Sequence, residues 1–294
     1  MKTRVGFLCI VTLLFTAAAF GQAKVAAKPI IFAVLENGEM VEPVALVDKG
    51  KLIEPTGGDA DSKDLTKFNK TYYSAAKTYR LIFGAANAGT VNVKKAFGME
   101  CSPNMAQVST ISTRAKLKGF VMGLATNVAT KTKGSGVRRL PTPTERAEID
   151  ALVKAEFAKN KITGKELKYH NLTAMDVDGD GKIELIGSYW MDTAPKTRQL
   201  MFVIGQKDPA GKYELGFVDT NSVEEENVMS GDIKNVDEGV YHEMLLDAFD
   251  FDGNGVAEIF TYTQSFEGAG FAAYGRKNGK WEQIFEGSNY HCGY

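Results

Sequence analysis

Two short stretches of this 294-residue chain place oxygen-bearing side chains at alternate positions around glycine. The first, residues 176–184, offers Asp176, Asp178, Asp180 and Glu184, with Gly179 and Gly181 between them. The second, residues 250–258, offers Asp250, Asp252, Asn254 and Glu258 around Gly253 and Gly255. Alternate side chains of a tight loop can converge on one point, and glycine permits the sharp bend. A hard cation that takes six to eight oxygens at about 2.3–2.6 Å suits such a set, with the carbonyls of Lys182 and Val256 adding to the side chains. The spacing therefore predicts two calcium sites.

Other ions and loop types fit less well. An EF-hand needs a carboxylate at its twelfth position and helices on both sides. Here that position is Gly187 or Thr261, and both flanks read as strands. Magnesium is overfilled by so many protein oxygens, and zinc lacks any His or Cys in the loops. The metal-free alternative is an Asx-rich hairpin turn, in which clustered carboxylates would repel one another. The first loop carries one more formal negative charge than the second, which predicts tighter binding there.

Each loop sits in the same order of elements. An apolar strand enters it, and a β-type stretch leaves it at 185–190 or 259–263. A third strand follows at 200–204 or 271–274, and a fourth at 211–214 or 279–282. The chain thus reads as two copies, 172–219 and 246–288, each a four-stranded antiparallel unit of propeller-blade type. The pattern Asp-x-Asp-Gly-Asp-Gly-x-x-Glu-Leu beginning at Asp176 resembles the FG-GAP / VCBS repeat family, known from integrin-α-like β-propellers and many secreted bacterial proteins. The resemblance implies calcium ligation through positions 1, 3, 5 and 9 and the carbonyl of position 7. Three departures stand out: Glu at the ninth position, Asn254 in the second loop, and only two copies, too few to close a propeller. Residues before the first copy lie outside the resemblance.

The remaining elements frame this half. Residues 131–143 are rich in Gly, Lys, Thr and Pro and read as a domain boundary. They end in a helix start, with Thr142 as N-cap, Pro143 at the first position and Glu145 closing a capping box. Ile149, Leu152, Val153 and Phe157 follow on one face of that helix. Upstream, Ile30–Leu35 and residues 41–47 read as strands about a turn at Glu36, Asn37 and Gly38. Further strands are expected at 79–83, 90–93, 107–114 and 120–125, with a polar loop at 56–64. The fold class expected is mainly β: an N-terminal β-rich domain (22–136), then a C-terminal domain (137–294) of two blade-like units with calcium hairpins and one packed helix.

Composition narrows the function. Lys2 and Arg4 precede an apolar run ending in small residues, so 1–21 reads as a secretory signal peptide and the protein as exported, secreted or periplasmic. No second apolar run is long enough to span a membrane, so no stable insertion is expected after cleavage. The net charge of -1 and the absence of a long basic run argue against nucleic-acid binding. Cys101 and Cys292 would remain, either bridged or as separate thiols. No Gly-x-Ser-x-Gly or His-Glu-x-x-His motif is present, and His170, His242 and His291 stand isolated in the sequence. No catalytic residue is assigned. The reading is a non-enzymatic, calcium-binding module for an unidentified protein or glycan ligand. The alternatives are a secreted hydrolase with structural calcium, or a calcium-dependent carbohydrate-binding or adhesion protein stacking sugars on Tyr189, Trp190 and Tyr262, whose other reading is strand core.

Overall fold

The computed structural model describes residues 26–97, 102–131 and 134–292. The expected signal peptide and Cys101 lie outside them. The protein is mainly β, with antiparallel sheets throughout. Among the described residues no helix is long and apolar enough to cross a membrane.

Seven strands build the N-terminal region: β1 (Ile30–Leu35), β2 (Met40–Asp48), β3 (Lys51–Ile53), β4 (Thr78–Phe83), β5 (Ala86–Ala96), β6 (Ala106–Ser112) and β7 (Gly123–Thr126). Their order is β1-β7-β4-β5-β6-β2-β3, and β1 also pairs with β2. Six strands therefore close into a barrel, and β3 hangs from its edge. Closure leaves β1 no exposed edge or face, which is why it reads as an unbroken apolar run. Ile30, Phe32 and Val34 point into the barrel with Tyr79, Leu81 and Val91. Ile31, Ala33 and Leu35 point outward into a second core.

The polar loop expected at 56–64 is shorter than that. Helix α1 (Ser62–Tyr72) begins within it, its N-cap Asp61 accepting from the backbone N–H of Lys63 and Asp64. Phe68 and Tyr72 pack into the barrel core. Leu65, Phe68 and Tyr72 are spaced along one helical face, a signal the polar flanks obscured.

Between barrel and repeats, the expected linker contains β8 (Arg138–Arg139). Helix α2 (Pro143–Lys159) starts as the sequence predicts, with both halves of the Thr142–Glu145 capping box formed. The first repeat follows as β9 (Lys168–Met175), β10 (Glu184–Ala194), β11 (Thr197–Lys207) and β12 (Tyr213–Glu224). Because β8 pairs with β9, this sheet has five strands, not four. A short helix α3 (Lys234–Asp237) leads to the second repeat. Its sheet is β13 (Glu243–Phe249), β14 (Glu258–Gln264), β15 (Gly268–Lys277) and β16 (Lys280–Tyr290), in sequential order.

Spatial order departs from chain order. The second repeat sheet is packed on both faces. Met244, Leu246, Phe260 and Phe271 share the barrel's outer core. Leu245, Ile259 and Tyr274 meet Met175, Ile186 and Phe202 of the first repeat sheet. The first sheet's other face carries α2 through Ile149, Val153 and Phe157. The layers run barrel, second repeat, first repeat, helix. Alternating side chains on the second sheet serve two cores at once, as period-two geometry requires.

Candidate metal centre

Both acidic loops close hairpins. Glu184 pairs with Met175 at the base of the first, and Glu258 with Phe249 at the base of the second. The internal bonding matches residue for residue. Asp176 accepts from the backbone N–H of Gly179 and Gly181, and Asp250 from Gly253 and Gly255. Asp180 accepts from Lys182 N–H at 2.7 Å, and Asn254 from Val256 N–H at 2.7 Å. Glu184 accepts from Val177 N–H and Glu258 from Phe251 N–H. The four glycines all have φ between 76° and 94°, backbone that residues with a Cβ rarely adopt.

The first loop brings carboxylate oxygens of Asp176, Asp178 and Asp180 within 4.8 Å of one another. Glu184 is outside that group and is joined to it through Arg276. Its Oε1 accepts from Arg276 Nη2 at 3.0 Å, while Arg276 Nη1 donates to Asp178 Oδ2 at 2.8 Å. Arg276 lies on β15, so the second repeat delivers a guanidinium into the first repeat's loop. Burial pushes the Glu184 carboxyl up to about 7, against the Val177 N–H and Arg276, which hold it down. Nothing in the loop signals Arg276, which lies 92 residues beyond Glu184. One positive charge thus cancels the extra negative charge of the first loop and removes the reason to expect tighter binding there.

In the second loop, Asn254 Nδ2 donates to Asp252 Oδ2 at 3.0 Å. Thr130, from the segment after the barrel, donates to the Asp250 carbonyl at 2.5 Å. Among the described residues no Lys, Arg or His forms an ion pair with Asp250, Asp252 or Glu258. Glu258 is buried, and burial together with the Asp252 and Asp250 charges pushes its carboxyl up to about 8. Among the described residues, the second loop shows no convergence of three carboxylates like that of Asp176, Asp178 and Asp180; its oxygen side chains are present, with no competing protein cation, but not gathered.

Other sequence expectations resolve differently. His170 and His242 are not isolated: their rings meet edge to face at 4.6 Å, and the His170 ring lies parallel to Trp190. His242 Nδ1 is 3.0 Å from Ser188 Oγ. Burial, then the His170 ring, holds the His242 imidazole down to about 3, so it stays neutral. Ser188 and His242 are both buried, and the cavity Ser188 lines is about 180 Å³, below the roughly 300 Å³ of a small-molecule site. Tyr189 and Trp190 are also buried, which leaves no sugar-stacking platform there. Cys292 is disulfide-bonded, so it is not a separate thiol; Cys101, the partner in the bridged alternative, lies outside the described residues.

That same cavity holds Glu243. Its Oε1 accepts from Thr261 Oγ1 and Tyr274 Oη, each at 2.6 Å. Burial pushes this carboxyl up to about 7; the two hydroxyls oppose that shift, and Asp219 and Glu286 add to it. Unfolded, the group loses its proton near 4.5. Between those values the folded protein holds a proton that the unfolded chain has released, so stability falls as pH rises through the window. Glu243→Gln is expected to remove this component. Urea titrations of both proteins should show the variant gaining on the wild type from about pH 4.5 to about 7. A pH-independent difference would refute the assignment.

No protein-family model, curated protein or solved structure matches this chain.

Proposed function

We propose that this chain is an exported, non-enzymatic calcium-binding protein, a binding or scaffolding module in which two hairpin loops hold Ca²⁺. The observation that carries the reading is Glu258, buried beside Asp250 and Asp252 with no protein cation to offset them. Such an arrangement costs folding free energy unless a proton or a bound cation neutralises Glu258, and a cation can replace the proton. The first loop repeats the same backbone bonds and adds a third aspartate. The resemblance to FG-GAP / VCBS repeats supports calcium as the ion, and the export signal supports a compartment where millimolar calcium fills weak sites.

In this reading Asp250, Asp252, Asn254 and Glu258 form one site, with the Val256 carbonyl. Asp176, Asp178, Asp180 and Glu184 form the other, with the Lys182 carbonyl. Calcium would supply the charge that Arg276 supplies in part at the first loop. Calorimetric titration with calcium should resolve two sites, the second loop at least as tight as the first. Asp250→Ala should remove one and Asp176→Ala the other. Arg276→Met should tighten the first site by roughly tenfold, as expected from removing about 1.4 kcal/mol of competing charge interaction. Absence of calcium heat in the wild type would end the proposal. An unchanged first-site affinity in Arg276→Met would remove the guanidinium from it.

A further inference from the structure

A cavity of about 540 Å³ opens between the barrel and the second repeat sheet. It lies at the opposite end of that sheet from the acidic loop, walled by Met244 at the start of β13 and by Tyr262 and Gln264 at the end of β14. Its size falls within the roughly 300–1,000 Å³ of small-molecule sites, which favour such junctions between structural units.

The lining is unusual in two ways. Met40, Met105, Met122 and Met244 all face it, four of the ten methionines in the chain. Thioether side chains are flexible and polarizable and adapt to apolar ligands of differing shape. Beside them is Glu42, fully buried. Its Oε1 accepts from Asn289 Nδ2 at 2.7 Å and is paired with His291 Nε2. Its Oε2 is buried and has no hydrogen-bond partner among the described residues. Asn104 and Asn289 bond each other through both amides, which fixes the Asn289 donor. The carboxylate is therefore held rigidly with one acceptor atom unused, an omission proteins rarely tolerate without a reason.

Charge points the same way. Glu36 joins Glu42 in the lining, where His291, already paired with Glu42 Oε1, is the one basic side chain among the described residues. Glu36 and Asn37 hold φ of 47° and 56°, and left-handed backbone at a non-glycine residue tends to persist at ligand sites.

We propose that this cavity binds a small amphipathic amine, its apolar body among the methionines and its ammonium donating to Glu42. The assignment goes beyond the calcium reading and uses none of the loop residues.

The test is calorimetric titration of the whole protein with n-octylamine, n-octanol and octanoate, which share an apolar body and differ in the head. Octylamine should bind at least about tenfold more tightly than octanol, with octanoate weakest. Glu42→Gln should bring amine and alcohol to within roughly threefold of each other. Gln264→Trp, at an exposed strand end of the wall, should abolish binding of all three with the melting curve unchanged. Should Glu42→Gln fail to fold, the head-group ranking and Gln264→Trp decide the matter. Equal affinity for the three probes, or amine binding that survives Gln264→Trp, would overturn the site. Each titration is repeated with calcium and with chelator. Loss of the amine preference beside an intact calcium-dependent melt defeats this inference alone.

Discussion

Asp247→Ala is expected to cost about 3–5 kcal/mol of folding stability, the usual penalty for stranding one member of a buried ion pair. Asp247 has no solvent exposure and lies in the middle of β13. Its oxygens accept from the backbone N–H groups of Gly84 at 2.9 Å, Ala85 at 2.7 Å and Ala248 at 2.8 Å. Arg138 Nη1 lies 3.4 Å from Asp247 Oδ2, with both side chains almost fully buried. The same guanidinium donates to the carbonyls of Met122 at 2.8 Å and Leu246 at 2.7 Å, and Arg138 Nη2 reaches Asn171. One residue of the linker thus ties the barrel, the second repeat and the first repeat together. Burial pushes the Arg138 guanidinium down in pKa, and Asp247 opposes that shift.

Alanine at 247 would leave a buried cation and two unpaired N–H groups at the left-handed turn of Gly84 and Ala85 (φ 66° and 56°). With total stability of roughly 5–15 kcal/mol, the loss is a large share. Arg138→Met should cost a similar amount for the opposite reason. The double variant should lose far less than the sum of the two singles, because neither charge is then left alone. Urea unfolding of the four proteins measures the coupling. A single-variant loss below about 1 kcal/mol, or strict additivity, would show the pair to be incidental.

The second large effect is calcium itself. An ion that binds only the folded state stabilises it by about 2.7 kcal/mol when present at one hundred times its dissociation constant. Two independent loops would contribute about 5 kcal/mol. Each kcal/mol moves the melting midpoint of a domain this size by about 2–4 °C, so calcium at one hundred times its dissociation constant should raise it by ~10–20 °C over chelator. Asp250→Ala should lose about half of the rise, and should also lower the chelated midpoint because Asp250 accepts from the backbone N–H groups of Gly253 and Gly255. Identical midpoints with calcium and with chelator would show that the loops hold no ion that matters to folding.

Local signals were strong wherever one short segment settled its own conformation. The capping box at Thr142 and Glu145, the apolar face of α2 and the unbroken apolar run of β1 were readable because each depends on neighbours within a few residues. The two hairpin loops were equally legible: alternate Asp and Gly fix a turn through bonds that span at most seven residues. Helix α1 was missed because its polar start resembles a loop. The fifth strand of the first repeat sheet was missed because two arginines carry no β signal of their own.

The sequence by itself thus determined the mainly β class, the two hairpin copies and the alternation of oxygen-bearing side chains with glycine in each loop. It could not determine what lies beside them. Only the tertiary structure closed the N-terminal strands into a barrel and slid the second repeat between that barrel and the first. Only that stacking brought Arg276 to Asp178 across 98 residues, Arg138 to Asp247 across 109, and His291 to Glu42 across 249. The physical reason is range. Turn geometry and strand periodicity are written into adjacent residues, whereas a buried charge acquires its partner from whichever surface packs over it. An unpaired Arg in a glycine-rich stretch looks like a solvated linker until two sheets and a barrel enclose it.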